Sequence, residues 1–233
     1  MALHFERAEF GLRIKRLREL MAENELDGML LFRQESMFYL SGYDTFGYVF
    51  FQCLYLGLDG KLILLTRAPD LRQAENTSIL EDIRIWVDGP EINPALQLKK
   101  ILRECACEGQ QLGVEYDSYG LTAKNGKLLD SALAGFCHLK DASNLVNRLR
   151  VVKSPEELVY VRKAAELADD ALDEAHKLVK AGCDEGELLA AMQGAVFRGG
   201  GDYPGNEFII GSGENALLCR YYSGRRKLDS EDQ

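Results

Sequence analysis

The feature that most constrains this sequence is the helix start signal Ser154-Pro155-Glu156-Glu157. Serine can cap free backbone N–H groups, proline suits the first helical position, and Glu157 completes a capping box. Apolar residues then repeat at alternating spacings of three and four: Leu158, Val161, Ala165, Ala168, Leu172, Ala175 and Val179. This pattern predicts a long amphipathic helix whose alanines allow another layer to approach closely. Its start predicts a domain boundary near residue 150.

Residues 1–150 alternate between helical and strand patterns. The continuous apolar run at 29–32 fits a strand that is buried on both faces. Asp59-Gly60 lies between two β-rich stretches, 47–57 and 61–66, and predicts a hairpin. Other predicted strands are 83–87, 111–116 and 136–139, and predicted helices are 8–24, 93–106 and 121–133. The alternation predicts an α/β fold for a first domain of residues 1–150.

Residues 151–233 are predicted to form a second domain. A second helix is predicted at 184–198, with strands at 207–213 and 217–222. Two helices and two strands form a marginal core, so we expect this unit to be incomplete by itself. The remainder would be supplied by further chain or by another chain.

Charge and composition exclude several classes of protein. Lys and Arg number 28 against 37 Asp and Glu, a formal net charge of −9, which disfavours nucleic acid as a partner. The longest apolar stretch, 49–58, is too short to span a membrane. The acidic N-terminus does not fit a signal peptide, which predicts a cytoplasmic protein. The six cysteines are scattered, and Cys105-Ala-Cys107 lacks a second ligand pair, so no metal site is predicted within the chain.

Two glycine-rich segments do not carry catalytic motifs. The segment at 198–202 lacks the Lys-Ser/Thr pair of a phosphate-binding loop, so a helix end with a flexible exit is the better interpretation. Ser212 lies between glycines, but the outer glycines of a nucleophile elbow are replaced by Ile210 and Glu214. A serine hydrolase is therefore excluded.

Two other segments are candidates for substrate binding. The loop at 40–48 carries Tyr43 and Asp44, which can place a ring and a carboxylate over a small polar ligand; alternatively it is a turn whose aromatic residues cap the core. Arg220 and Tyr222 lie in a basic, aromatic cluster and would face the same side of a strand. Arg220 can then bind a substrate carboxylate; the alternative is a solvated hairpin tip.

Three motifs resemble the creatinase/prolidase/aminopeptidase P superfamily of pita-bread enzymes. They are Met-Phe-Tyr-Leu-Ser-Gly-Tyr-Asp at 37–44, Leu-Arg-Val-Val-Lys-Ser-Pro-Glu-Glu at 149–157 and Ile-Ile-Gly-Ser-Gly at 209–213. Together they extend over nearly the whole chain. The resemblance implies a creatinase-type N-terminal α/β domain at 1–150 and the first, incomplete part of an α+β pita-bread catalytic domain at 151–233.

The resemblance also implies an assembly and a cofactor. Family members are usually homodimers in which one subunit's N-terminal domain helps to cover the partner's catalytic pocket, so the loop at 43–48 is a candidate lid. The family's peptidases bind two divalent metal ions through two Asp, one His and two Glu. All five positions lie downstream of this chain, so we expect Mn, Co or Zn in the full-length protein, and the 233-residue chain alone to be inactive.

One departure from the family pattern concerns Arg220, which replaces a histidine that orients substrate or moves a proton. Arginine cannot act as a general base at neutral pH. The change resembles the branch that hydrolyses small nitrogenous solutes, such as ectoine or creatine. We therefore expect a C–N hydrolase of Xaa-Pro dipeptides or of such solutes, in which Arg220 binds the substrate carboxylate while Tyr43 and Tyr222 shape the pocket. The alternative is a non-catalytic dimerisation or binding module.

Overall fold

The computed structural model describes residues 3–206, 208–218 and 225–232. The chain divides into two units, Met1–Val152 and Lys153–Gln233. In the first unit the described strands are Gly28–Leu31 (β1), Cys53–Gly57 (β2), Leu62–Arg67 (β3), Ile83–Trp86 (β4), Gln111–Val114 (β5) and His138–Asp141 (β6). Its helices are Arg7–Glu23 (α1), Gln34–Ser41 (α2), Leu71–Thr77 (α3), Pro94–Glu104 (α4), Ala123–Leu133 (α5) and Leu145–Val151 (α6). This mixed α/β architecture confirms the predicted fold class.

The six strands form one mixed sheet in the order β4-β3-β2-β1-β5-β6. Strand β1 pairs parallel to β5 and antiparallel to β2, and β5 pairs parallel to β6. The predicted hairpin is confirmed: β2 and β3 are antiparallel, and Gly60 at the turn has φ of 94°. A positive φ of this size suits glycine because it has no Cβ. The turn closes with the N–H of Gly57 donating to the carbonyl of Lys61 at 2.9 Å.

Helices cover both faces of this sheet. All four residues of β1 are buried, as predicted for a strand between two layers. On one face α4 and α5 pack against the sheet, with Leu98 and Leu129 in the core. On the other face the core includes Leu17 of α1, Leu40 of α2 and Val146 of α6. The first unit therefore has three layers, a sheet between two layers of helices, and the central strands of the sheet are fully buried.

A buried carboxylate ties α2 to the strand β5. Glu115 directly follows β5 and has no exposed surface. Its Oε2 accepts hydrogen bonds from the backbone N–H groups of Phe32 at 3.0 Å and Arg33 at 2.9 Å, and its Oε1 accepts from Ser36 Oγ at 2.6 Å. Arg33 is the N-cap of α2 and provides no side-chain cap. Glu115 therefore supplies, from a distant part of the sequence, the acceptor that the start of this helix needs.

The second unit contains two described α-helices, Pro155–Leu178 (α7) and Glu185–Arg198 (α8). The predicted capping box is confirmed. Ser154 Oγ accepts from the N–H of Glu157 at 3.2 Å, and Glu157 Oε2 accepts from the N–H of Ser154 at 2.8 Å. The buried residues of α7 are Leu167, Ala171 and Ala175. The long predicted helix is therefore correct in type, start and approximate length.

The face of α7 that is buried differs from the predicted one. Of the predicted stripe only Ala175 is buried, whereas Val161 and Leu172 are each 50% exposed. The buried residues instead lie on a stripe spaced by four, which runs through Leu167 and Ala171. Sequence periodicity predicted one apolar stripe, but the face that becomes buried also depends on which side of α7 another element covers, which the spacing alone does not determine. Apart from Ala175, the predicted stripe is not buried.

The predicted strand over 207–213 is wrong for the residues that can be checked. Residues 208–212 form no strand, and Gly213–Leu217 is a short 3₁₀ helix. A strand needs a paired neighbour to satisfy its backbone groups. Within the described part of this unit, the β pairing is the isolated bridge between Asp184 and Lys227. The second predicted strand, 217–222, lies mostly outside the described residues.

Candidate functional site

The candidate segment of the first unit is the loop that follows α2. The helix ends at Gly42, whose φ of 79° is in the left-handed region. The next residue, Tyr43, turns inward and is fully buried. Its hydroxyl donates to Gln52 Oε1 at 3.2 Å and lies 3.2 Å from Thr66 Oγ1. Burial raises the pKa of this phenol, so Tyr43 is held here as a neutral, hydrogen-bonded ring.

Two glutamines extend this buried polar network to the start of α2. Gln34 Nε2 donates to the carbonyl oxygen of Tyr43 at 2.8 Å, and Gln52 Nε2 donates to Gln34 Oε1 at 3.0 Å. The loop is therefore fixed at its first residue through both the ring and the backbone of Tyr43. Buried amide networks that satisfy their members in this way hold one conformation.

Beyond Tyr43 the loop turns outward. The side chain of Asp44 is exposed, and its backbone N–H donates to Thr77 Oγ1 at 3.1 Å. Phe46 is 76% exposed and packs edge-on against Tyr48 with ring centroids 5.4 Å apart. The structure thus separates the two predicted residues of this loop: Tyr43 lies in the core, whereas Asp44 is presented on the surface beside two aromatic rings.

The candidate segment of the second unit lies between Ser212 and Arg226 in the sequence. Glu185, at the start of α8, is 3% exposed, and its Oε1 accepts from Ser212 N at 3.0 Å and Ser212 Oγ at 2.7 Å. Its Oε2 accepts from Arg226 N at 3.2 Å. The Arg226 guanidinium donates to Ser212 Oγ at 2.8 Å and to Asp232 Oδ2 at 2.6 Å. One carboxylate therefore anchors both flanks of the segment 213–225.

Electrostatics reinforce this anchor. Hydrogen bonding to Asp232, partly opposed by desolvation, raises the pKa of Arg226. The backbone N–H of Asp229, with help from the Arg226 guanidinium, lowers the pKa of the Asp232 carboxyl. Arg226 and Asp232 are therefore both charged across the physiological range. They form an ion pair beside the buried side chain of Glu185.

Arg220 and Tyr222 lie outside the described residues. The structure places the anchors Ser212 and Arg226 on either side of them in the sequence, and Arg225 is exposed. The sequence did not predict Glu185 as an anchor, although its partner Ser212 lies in the glycine-rich segment Gly211-Ser212-Gly213. The separation of 27 residues between the two side chains gave no local signal.

The residues that the structure describes do not fit the metal centre implied by the resemblance. No group of three or more His, Cys, Asp or Glu side chains among them is placed to hold a metal ion. In the Cys105-Ala-Cys107 segment, Cys107 Sγ lies 3.3 Å from Tyr55 Oη, and burial raises the pKa of the Cys107 thiol. A raised pKa disfavours the thiolate that a metal needs. In the same described ranges, no helix combines the length and apolar character that crossing a bilayer requires.

Comparison with known families accounts for both units. Residues 13–152 match the Creatinase/Prolidase N-terminal domain, and residues 159–233 match metallopeptidase family M24. The α/β unit is thus a creatinase-type N-terminal domain, and the capped helical unit matches the first part of an M24-family domain. The chain belongs to the creatinase/prolidase family, as the resemblance predicted.

Individual relatives share this two-part organisation. The chain is 27% identical to the ectoine hydrolase of Halomonas elongata over 93% of its own length and 58% of the relative. It is 24% identical to the Xaa-Pro dipeptidase of Pyrococcus horikoshii over 94% of its own length and 57% of the relative. The chain therefore spans a little over half the length of these relatives.

Solved structures show the same fold. An X-Pro aminopeptidase from Thermotoga maritima superposes with a TM-score of 0.78 at 20% identity, covering 94% of this chain and 58% of that one. A dipeptidase from Pyrococcus horikoshii superposes with a TM-score of 0.75 at 24% identity, covering 94% of this chain and 59% of that one. These matches confirm the creatinase-type N-terminal domain and the partial pita-bread domain.

Proposed function

We propose that the full-length protein hydrolyses a C–N bond in a small, carboxylate-bearing substrate. The observation that carries the proposal is the match of both units, in order, to a family whose relatives include an ectoine hydrolase and Xaa-Pro dipeptidases. The two substrate classes, Xaa-Pro dipeptides and nitrogenous solutes of the ectoine or creatine type, share a carboxylate and a C–N bond. The 233 residues supply the N-terminal domain and the first part of the catalytic domain.

In this proposal four residues contact the substrate or shape its pocket. Arg220 binds the substrate carboxylate through its planar guanidinium, and Tyr222 lines the same pocket. Tyr43 shapes the loop from within the core, and Asp44 faces the substrate from the loop surface. The anchoring of residues 212 and 226 by Glu185, and of Tyr43 by Gln52, supports these roles because a binding site gains precision from fixed supports.

The metal centre and the assembly are also proposals. Family M24 implies divalent metal ions in full-length members. We place the ligands of Mn, Co or Zn outside these 233 residues, so the chain alone would be inactive. We further propose a homodimer in which the loop at 43–48 covers the partner's pocket. A cytoplasmic location is supported by free thiols at all five described cysteines, which suit a reducing compartment.

The test uses the protein expressed from its complete coding sequence. Ala-Pro, Leu-Pro, ectoine and creatine are each incubated with the enzyme after loading with Mn²⁺, Co²⁺ or Zn²⁺, and amine release is measured. We expect turnover of one substrate class and its loss with a chelator if the site is dinuclear. Replacing Arg220 by alanine should raise KM for that substrate at least ten-fold, whereas Arg225→Ala, an exposed neighbour, is the matched control.

The outcomes separate the hydrolase from the non-catalytic module. No turnover of any of the four substrates, together with an intact mass near 26.1 kDa for the endogenous protein, would favour the module. A mass of about 40–45 kDa, which the 58% coverage of a relative implies, together with turnover, supports the hydrolase. An unchanged KM in Arg220→Ala would remove Arg220 from the binding role without affecting the assignment of the class.

A further inference from the structure

A cleft whose lining includes none of the four proposed substrate residues opens in the first unit at the carboxyl ends of β1 and β5. Its volume is about 1320 Å³. In open α/β sheets, ligands bind beyond the carboxyl ends of the strands. The lining comes from the segments after β1 and β5, from Tyr48 and Val49, and from α6; the members used below are Arg33, Glu35, Tyr48, Tyr116, Asp117, Tyr119 and Arg150.

The cations of the cleft lie deeper than its acids. Arg150 is half-buried and has no ion-pair or hydrogen-bond partner among the described residues. The side chain of Arg33 is 15% exposed; it donates to the carbonyl oxygen of Asp117 and lies 3.5 Å from Asp117 Oδ2. The carboxylates of Glu35 and Asp117 are exposed at the rim. A half-buried guanidinium without a carboxylate partner favours an anionic ligand, which would complete its hydrogen bonds.

Aromatic rings supply the apolar part of the cleft. The hydroxyl of Tyr116 donates to Asp130 Oδ1 at 2.6 Å, which fixes this ring in the wall. Tyr119 is 96% exposed, and Tyr48 is held edge-on against Phe46. Three tyrosine rings around one opening offer stacking surfaces for a flat ligand, and binding sites combine such apolar walls with a few polar groups.

We propose that this cleft binds a small organic monocarboxylate that has a flat apolar body. Arg150 holds the carboxylate, and the tyrosine rings contact the body. A single negative charge fits better than a phosphate, because Glu35 and Asp117 offset the charges of Arg33 and Arg150, so the cleft has no excess positive charge for a dianion. The lining contains none of Arg220, Tyr222, Tyr43 and Asp44, although it shares Tyr48 with the loop at 43–48. Binding here needs no catalysis, so a failure of this proposal is distinguishable from a failure of the proposed hydrolase function.

The test measures binding to the 233-residue chain by titration calorimetry and by ligand-observed NMR. The probes are phenylacetate, its neutral analogue phenylacetamide and inorganic phosphate. We expect phenylacetate to bind at least ten-fold more tightly than the amide, and phosphate to bind more weakly than phenylacetate. Arg150→Gln should weaken phenylacetate binding about ten-fold, whereas Arg148→Gln should leave it unchanged. Arg148 is exposed on the same helix and does not line the cleft, which makes it the matched control.

A second variant protects the test from a folding defect. Tyr119 projects into solvent, so Tyr119→Ala should fold normally and weaken phenylacetate binding about three-fold or more through lost stacking. Fluorescence of Trp86, the single tryptophan, reports that each variant is folded. Absence of binding, equal affinity for acid and amide, tighter binding of phosphate, or equal losses in the Arg148 and Arg150 variants would each overturn the proposal.

Discussion

Replacing Glu115 tests whether a buried carboxylate holds α2 on the sheet. In Glu115→Ala, the buried N–H of Phe32 and hydroxyl of Ser36 lose acceptors that lie at 3.0 and 2.6 Å, and the N–H of Arg33 loses one at 2.9 Å. Each buried donor left without an acceptor costs about 1–3 kcal/mol, whereas the part-buried Arg33 N–H can bond to water. Two buried donors thus set an expected loss of about 2–6 kcal/mol in the free energy of unfolding.

Glu115→Gln is the matched variant because it keeps the shape and removes the charge. Burial raises the pKa of Glu115 above its ordinary value of 4.5, against the opposing effect of its hydrogen bonds. A carboxyl whose pKa is higher in the folded state stabilises the fold while protonated, and this contribution is lost as the pH rises through the folded pKa. Glutamine does not titrate. The stability of Glu115→Gln relative to the unsubstituted protein should therefore increase as the pH rises from 4.5.

Urea unfolding followed by Trp86 fluorescence is the appropriate assay. Trp86 is the single tryptophan, lies on β4, and donates from Nε1 to the carbonyl of Phe51 at 2.9 Å, so its emission reports the first unit. Measurements from about pH 4 to pH 8 begin near the ordinary pKa of carboxyl groups and extend upward, the direction in which burial shifts the pKa of Glu115. A loss below about 1 kcal/mol in Glu115→Ala, or a Glu115→Gln variant that becomes relatively less stable as the pH rises, would refute the reasoning.

Four further substitutions test local features. Gly42→Ala should lower the free energy of unfolding, followed by Trp86 fluorescence, by about 1–3 kcal/mol, because its φ is 79° and a Cβ would lie 3.0 Å from a carbonyl oxygen. Gly109→Ala, with φ of 74° and open space around it, should lower it by only about 1 kcal/mol, through backbone strain. Tyr43→Phe should cost about 1–2 kcal/mol in the same assay, because two buried polar neighbours lose a partner, and an unchanged midpoint would contradict that role. Ser154→Ala should lower helix stability by about 1 kcal/mol in thermal melts followed by circular dichroism; equal melting would show that the cap contributes nothing.

Features set by local sequence were predictable. The capping box at Ser154 and the Asp59-Gly60 turn each depend on residues within a few positions, and both formed as predicted. The apolar run at 29–32 also identified a central strand, because only a strand covered on both faces is apolar at every position. In these cases the residues that decide the structure are neighbours in the chain.

Helix α2 was missed because its start depends on a residue far away in the sequence. It has eight residues, its N-cap Arg33 has no capping side chain, and the acceptor that closes its first turn is Glu115. Met37 and Tyr39 are both buried although they lie two positions apart, on opposite sides of the helix, so the segment is not buried on one face alone. Neither an apolar periodicity nor a capping side chain indicated a helix in this segment.

The residues of the candidate loop divide between core and surface in a way that composition could not predict. A tyrosine beside an aspartate suits a binding loop, yet Tyr43 has its hydroxyl satisfied by Gln52 and Thr66 inside the core. Those partners lie nine and 23 residues further along the chain. Tyr43 therefore lies in the core, as the turn interpretation predicts, whereas Asp44 is on the surface, and a binding role for this loop stays a prediction.

Both proposed substrate-binding segments are held by a buried glutamate, and this shared device has an energetic meaning. Burying a carboxylate is costly unless donors satisfy it, so the arrangement is retained only where three or more donors converge. Glu115 receives two N–H groups and a hydroxyl at the helix that leads into Tyr43. Glu185 receives the same set of donor types from Ser212 and Arg226, on either side of Arg220. An apolar side chain in either position would accept no hydrogen bond and would leave these donors without a partner. The carboxylates therefore fix the course of the backbone where the segments with the proposed substrate contacts begin.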